Sequence, residues 1–213
     1  MATIIDYPIV LNQLTQQGFK SLYYNSGAFG FQPSAVTISR GWIGREDSSI
    51  RETARAIVRQ VPPPFEMRMA ELMIQLWNET LPGPVWVMPK SHWAYELEFG
   101  SREWLPGVLG KIGIDSSKLL PLNNAAAIEF VDGEVEELRL VVTELLTRLV
   151  GSDFQIVFPG RGTICTIHNR GQLWWTTEDL GVGERLEAVL PESGKENANV
   201  EHRTSNIEHR SQE

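Results

Sequence analysis

Three ionisable residues, His92, Glu96 and Glu98, fall within the run Ser91-His-Trp-Ala-Tyr-Glu-Leu-Glu-Phe-Gly-Ser101. Trp93, Tyr95, Leu97 and Phe99 alternate with them, and this two-residue rhythm of rings against polar groups predicts a half-buried strand over 92–99. Same-face neighbours on a strand lie about 6 to 7 Å apart. At that separation carboxylates can share a proton or a metal ion, or act on a sugar as acid and nucleophile. A hydrolase centre on His92, Glu96 and Glu98 is therefore one expectation. Against it, exposed strand faces ordinarily carry His and Glu as solvated residues, and no further metal ligand can be picked out.

Two other groups invite chemistry. Arg51, Arg55 and Arg59 recur every fourth residue, so on a helix they would line one flank and offer a row for a phosphorylated small molecule. The stretch from Arg40 to Ala70 also holds four acidic residues beside its six arginines, which is enough for ordinary salt bridging along a solvated face. Trp174 and Trp175 are adjacent in a predicted strand, so one ring turns to the core and the other outward. An outward tryptophan stacks on sugars or bases, or anchors a protein interface, unless the protein's own helices cover it.

The remaining inventory is thin. Cys165 is the only cysteine, which forbids an internal disulfide and the paired-Cys zinc arrangements. His168 follows it three positions later, and on a strand that odd spacing puts the two on opposite faces, beyond the reach of a Cys–His pair. Gly107-Val-Leu-Gly110-Lys111 lacks the glycine spacing and the Ser or Thr of a phosphate loop. Gly181-Val-Gly183 meets Leu186 where a dinucleotide fingerprint needs its third glycine. No cofactor cradle and no metal set is written here.

These candidates need elements to hold them. Asp6, Pro8 and Gly18 bracket a helix over 7–17, followed by an aromatic, glycine-rich stretch over 19–33 that reads as an irregular connection packed down by its rings. A strand is expected over 35–40. Ser49-Ile-Arg-Glu52 has capping-box form and opens a helix that Pro62 stops; a second helix over 65–79 would complete an αα-hairpin. Short strands are expected over 85–88 and 125–130, with a short helix over 104–112 between them. The clearest helix runs from about 133 to 150, with Asp132 as a candidate cap, Leu138, Val142, Leu145 and Leu149 on one face, and Gly151 at its end. Strands over 154–158, 163–168 and 172–177, separated by Pro159-Gly-Arg-Gly162 and Asn169-Arg-Gly171, make a three-stranded antiparallel meander.

The 213 residues are 42% hydrophobic and 22% charged, enough for one substantial core. No apolar run approaches the ~18 residues of a membrane-spanning helix, and the start Met1-Ala-Thr-Ile-Ile-Asp6 lacks the basic and apolar regions of a secretory signal. A soluble, cytoplasmic protein is expected. The formal charge of −8 argues against nucleic acid as a partner. From 191 the composition turns polar and holds a short tandem repeat, Asn199-Val-Glu-His-Arg-Thr-Ser and Asn206-Ile-Glu-His-Arg-Ser-Gln, so 191–213 reads as a disordered, low-complexity tail on a single domain over 1–190.

The fold expected is α+β, a mainly antiparallel sheet with helices packed on at least one face. The function that follows is a non-enzymatic binding or adaptor module, meeting a partner protein or a second copy of itself through the Trp174/Trp175 strand. A hydrolase on the 92–98 face and a phosphate binder on the arginine row stand as alternatives.

Overall fold

The structure, a computed structural model, describes residues 1–23, 28–34, 38–44, 58–60, 65–121, 126–169 and 171–189. In chain order it forms β1 (Thr3–Ile5), α1 (Tyr7–Gln16), β2 (Phe19–Tyr23), β3 (Phe29–Pro33), β4 (Ile38–Gly44), β5 (Val58–Gln60), α2 (Phe65–Glu79) and β6 (Val85–Pro89). Then come α3 (Trp93–Tyr95), which runs directly into a π-helical turn at Glu96–Gly100, and α4 (Leu105–Lys111). A 3-10 turn at Ser116–Lys118 leads to β7 (Ala127–Phe130), α5 (Val135–Arg148), β8 (Phe154–Phe158), β9 (Thr163–His168), β10 (Gln172–Thr177) and α6 (Leu180–Val189).

The fold is α+β, as the residue pattern requires. One eight-stranded sheet has the order β1-β7-β6-β8-β9-β10-β4-β5, antiparallel throughout except where β5 runs parallel to β4; β2 and β3 pair separately as an antiparallel hairpin. The meander β8-β9-β10 forms where expected, and Gly160, Gly162 and Gly171 take the positive φ its two turns need. Helices α2, α4, α5 and α6 cover one face of the large sheet. The stripe Leu138, Val142, Leu145 and Leu149 of the α5 region is buried there with Met69, Leu72, Met73 and Leu76 of α2. The other face is covered by α1 and the β2–β3 hairpin, where Val10, Leu14, Phe19, Phe29 and Phe31 pack on Trp86, Met88, Val157 and Ile164.

Four expectations are corrected. Residues 92–99 are helical, not a strand. His92 Nδ1 accepts the Tyr95 N–H at 3.1 Å and so caps the turn, while Ser101 N–H donates to Glu96 O at 2.7 Å and widens the helix by one residue. The alternating rings resolve into two i,i+4 pairs: Trp93 and Leu97 are buried, Tyr95 and Phe99 stand 40% and 67% exposed. The stretch over 19–33 is a hairpin rather than an irregular connection, with Phe19, Phe29 and Phe31 buried beneath it. The helix expected to run from Ser49 to Pro62 does not reach that far, because Val58–Gln60 pairs along β4, where ladder hydrogen bonds override a weak helical preference; residues 45–57 lie outside the described residues. Asp132 does not cap α5. Glu134 holds the N-cap position instead, without a side-chain hydrogen bond into the helix; its carboxylate turns back to accept the Val131 N–H at 2.8 Å and pairs with the Met1 ammonium. The strand over 35–40 begins at Ile38, and 35–37, like the tail from 190 onward, lies outside the described residues.

Candidate functional site

Strand periodicity decides what faces the hairpin. With Cys165, Ile167, Leu173 and Trp175 committed to the helical side, the alternate residues Thr166 and His168 of β9 and Trp174 and Thr176 of β10 turn the other way. Gln155 does the same on β8. Lys90 follows the end of β6, Asp153 precedes β8 and His168 closes β9. These strands are neighbours in the sheet, so their ends bring three ionisable groups together. Lys90 Nζ lies 3.5 Å from Asp153 Oδ2 and His168 Nε2 lies 3.8 Å from Asp153 Oδ1, while the Asn169 N–H donates to Asp153 Oδ1 at 3.3 Å. The three side chains are between 19% and 29% exposed.

The hairpin forms the roof. Gln155 takes the place of a strand neighbour: its Oε1 accepts the Phe31 N–H at 2.9 Å and its Nε2 donates to Phe31 O at 3.0 Å. The Phe29 N–H donates to Lys90 O at 2.5 Å, and the Lys90 N–H donates to Asp153 O at 2.8 Å. A Cβ at position 30 would come 3.0 Å from Gln155 Oε1, so Gly30 lets the amide approach. Under α1 the Tyr7 ring meets Phe29 edge-on at 5.4 Å, and burial, with a hydrogen bond to Tyr23, pushes its hydroxyl up to about 12.

Two cavities adjoin here, one at the ends of the sheet strands and one between the hairpin and the sheet. One of about 500 Å³ is lined by Ser91, His92, Tyr95, Ser152 and Asn169, among others. The other, of about 320 Å³, is lined by Leu22, Gln32, Thr166, Trp174 and Thr176, among others. Lys90, Asp153 and His168 line both, so they sit where the two cavities join. Trp174 is half-buried; its indole N–H donates to Gln172 Oε1 at 3.0 Å and its ring centroid is 6.0 Å from that of His168. Comparison with protein-family models, curated proteins and solved structures gave no match.

The sequence candidates are distributed unevenly around it. His92 reaches the larger cavity as the cap of α3. Glu96 turns inward, fully buried, and accepts hydrogen bonds from Ser91 Oγ at 2.6 Å and Ser101 Oγ at 2.9 Å, while Glu98 is exposed. The shared strand face that would have joined these three is absent. Gly100 completes the turn, because a Cβ there would lie 2.9 Å from Glu96 Oε2. Trp175 is buried on the helical side, stacked on Phe158 at 6.2 Å, so only Trp174 of the pair reaches the cleft. Arg51 and Arg55 lie outside the described residues, and Arg59 belongs to β5. Cys165 is in the helical-side core, away from His168, and burial pushes its thiol well up. Among the described residues no group of three or more His, Cys, Asp and Glu is placed to hold a metal ion, and no helix is long and apolar enough to cross a membrane.

Sequence reasoning passed over Lys90 and Asp153. The available signal was positional: each is an ionisable residue immediately flanking an apolar strand, Val85–Pro89 or Phe154–Phe158. Such residues sit at the rim of a sheet, where polar groups from neighbouring strands converge.

Proposed function

We propose that this protein is a non-enzymatic binding module and that its contact element is the cleft between the β2–β3 hairpin and the main sheet. One observation carries the reading: an aromatic wall, Trp174, adjoins the Lys90, Asp153 and His168 cluster where two cavities meet. Concave sites of a few hundred Å³ with a few convergent polar groups beside an aromatic surface are the usual form of a binding site. The contact runs through Trp174 and not through Trp175, whose ring is stacked in the core.

A second reading concerns a partner protein, and a separate observation favours it. Tyr95 and Phe99, 6.2 Å apart, stand exposed beside the larger cavity, and Tyr23 is 77% exposed on the hairpin. Exposed rings grouped beside a cleft are the residues that anchor protein interfaces, with a second copy of this chain as one candidate partner. A cytoplasmic setting accords with a single cysteine held as a buried thiol.

Saturation-transfer NMR against a chemically mixed fragment library tests the first reading. Hits should compete for one site and lose about tenfold or more in affinity in Trp174→Ala, given the ring's contribution to an enclosed contact. Hits that bind Trp174→Ala as well as the parent protein would reject it. For the second reading, sedimentation of Tyr95→Ser/Phe99→Ser should show weaker self-association than the parent; a parent that is monomeric at all concentrations removes the second copy as partner.

A further inference from the structure

The composition of the cleft allows its ligand to be narrowed. We infer that it binds a neutral, polyhydroxylated ligand, a short saccharide, with one sugar ring laid against Trp174. The inference rests on the binding reading given above and specifies its ligand class.

Charge comes first. Lys90 and Asp153, residues of opposite charge in the walls of both cavities, are paired with each other at 3.5 Å and cancel. A phosphate-bearing ligand would meet a balanced site on a chain of net charge −8 and, behind the wall of the larger cavity, the buried Glu96 carboxylate. A cationic ligand would find Asp153 already engaged by Lys90 and by the Asn169 N–H. The site therefore favours a ligand without net charge.

Hydrogen-bonding chemistry comes second. Because His92 Nδ1 accepts the Tyr95 N–H, the neutral ring carries its proton on Nε2 and offers a donor. Thr166, Thr176, Gln32 and Asn169 each supply both donor and acceptor capacity along the two cavities. Ser152 Oγ, in the wall of the larger cavity, is buried and meets no hydrogen-bond partner among the described residues. A sugar hydroxyl is itself donor and acceptor and fits such a mixed lining, whereas an oxyanion or an ammonium group uses only half of it.

Shape comes third. With the Trp174 indole N–H taken by Gln172, what Trp174 offers the cleft is the ring itself. The axial C–H groups of a pyranose give it an apolar face that packs on an aromatic ring, while its equatorial hydroxyls reach polar groups at the edge. His168, 6.0 Å from that ring and shared by both cavities, stands at such an edge. Adjoining cavities of about 500 and 320 Å³ have room for more than one sugar unit.

The test is a glycan array carrying neutral and acidic oligosaccharides, probed with the full chain, followed by calorimetric titration of the best neutral glycan. Expected is retention of at least one group of neutral glycans. Affinity should fall about tenfold or more in Trp174→Ala and several-fold in His168→Gln, both variants having melting profiles like the parent. Should Trp174→Ala misfold, His168→Gln and Thr166→Val supply the same readout from the cleft's edge. An array with no retained glycan, or one whose signal survives all three substitutions, overturns the saccharide assignment. If charged or peptidic fragments still bind in a Trp174-dependent way, the binding cleft stands and only the ligand class falls; if no fragment binds there either, both fall together.

Discussion

The two faces of the large sheet are made by alternate residues of the same strands, yet one is closed and the other opens into a cleft. On the helical side, Phe154, Ile156 and Phe158 of β8 share one core with the buried faces of α2 and α5 and with Val182 of α6. On the hairpin side, Gln155 and Val157 of the same strand meet a roof of two five-residue strands. Val157 packs in one apolar cluster with Val10 and Leu14 of α1 and Phe19 of the hairpin, while Gln155 replaces apolar contact by hydrogen bonds to Phe31. A long helix seals a sheet because its stripe is continuous. A short hairpin seals only part of one, and beyond the point where it is pinned the polar ends of β6, β8 and β9 stay accessible.

The contrast is most sharply tested where the closed face is most tightly packed. Phe158 is fully buried and stacked on Trp175, so Phe158→Ala should cost about 3 to 5 kcal/mol, lost transfer energy plus cavity, and unfold the molecule as a unit in urea. A loss below about 1 kcal/mol would mean that this face is not the dry core described. Gln155→Leu probes the pin on the other side. Removing the amide leaves the Phe31 N–H and C=O without their partner, at an expected cost of about 2 to 3 kcal/mol. Its signature is local. The Phe31 amide hydrogen should exchange much faster while that of Ile156 keeps its protection, and equal changes at both positions would show that the hairpin is no separate cover.

The same contrast governs what could be read in advance from residue order. The meander and α5 were legible because each carries an unbroken periodicity bounded by glycine, and the structure keeps Leu138, Val142 and Leu145 on the buried stripe. Residues 92–99 misled because four apolar residues at alternate positions satisfy two periods at once: side chains at i, i+2, i+4 and i+6 also form two i,i+4 pairs. What settled the matter was capping by His92 and the two serines holding Glu96, and these are contacts between groups rather than a rhythm. The hairpin over 19–33 escaped for a related reason. Its strands pair locally, but its docking on the sheet is secured by Gln155, 124 residues from Phe31, and no local pattern carries that distance. Of the candidate site, the Trp174/Trp175 pair showed that one ring must face outward without showing which, and His168 marked the end of a predicted strand, whereas Lys90 and Asp153 join them only once β6, β8 and β9 are known to be neighbours.

The smallest expected difference separates two tryptophans of the closed face. Trp93 is buried with its indole N–H donating to Ala126 O at 2.6 Å, whereas the equally buried Trp175 Nε1 has no hydrogen-bond partner among the described residues. Replacing either by phenylalanine removes a similar apolar area. Trp93→Phe also strands a buried carbonyl, while Trp175→Phe removes a donor that is already unsatisfied. Trp93→Phe should therefore lower stability by about 1 to 2 kcal/mol more than Trp175→Phe, read as a difference in denaturation midpoints at unchanged slope. Equal losses in the two variants would show that the Trp175 N–H is satisfied in solution, and that the closed face admits water at the point where Trp175 stacks on Phe158.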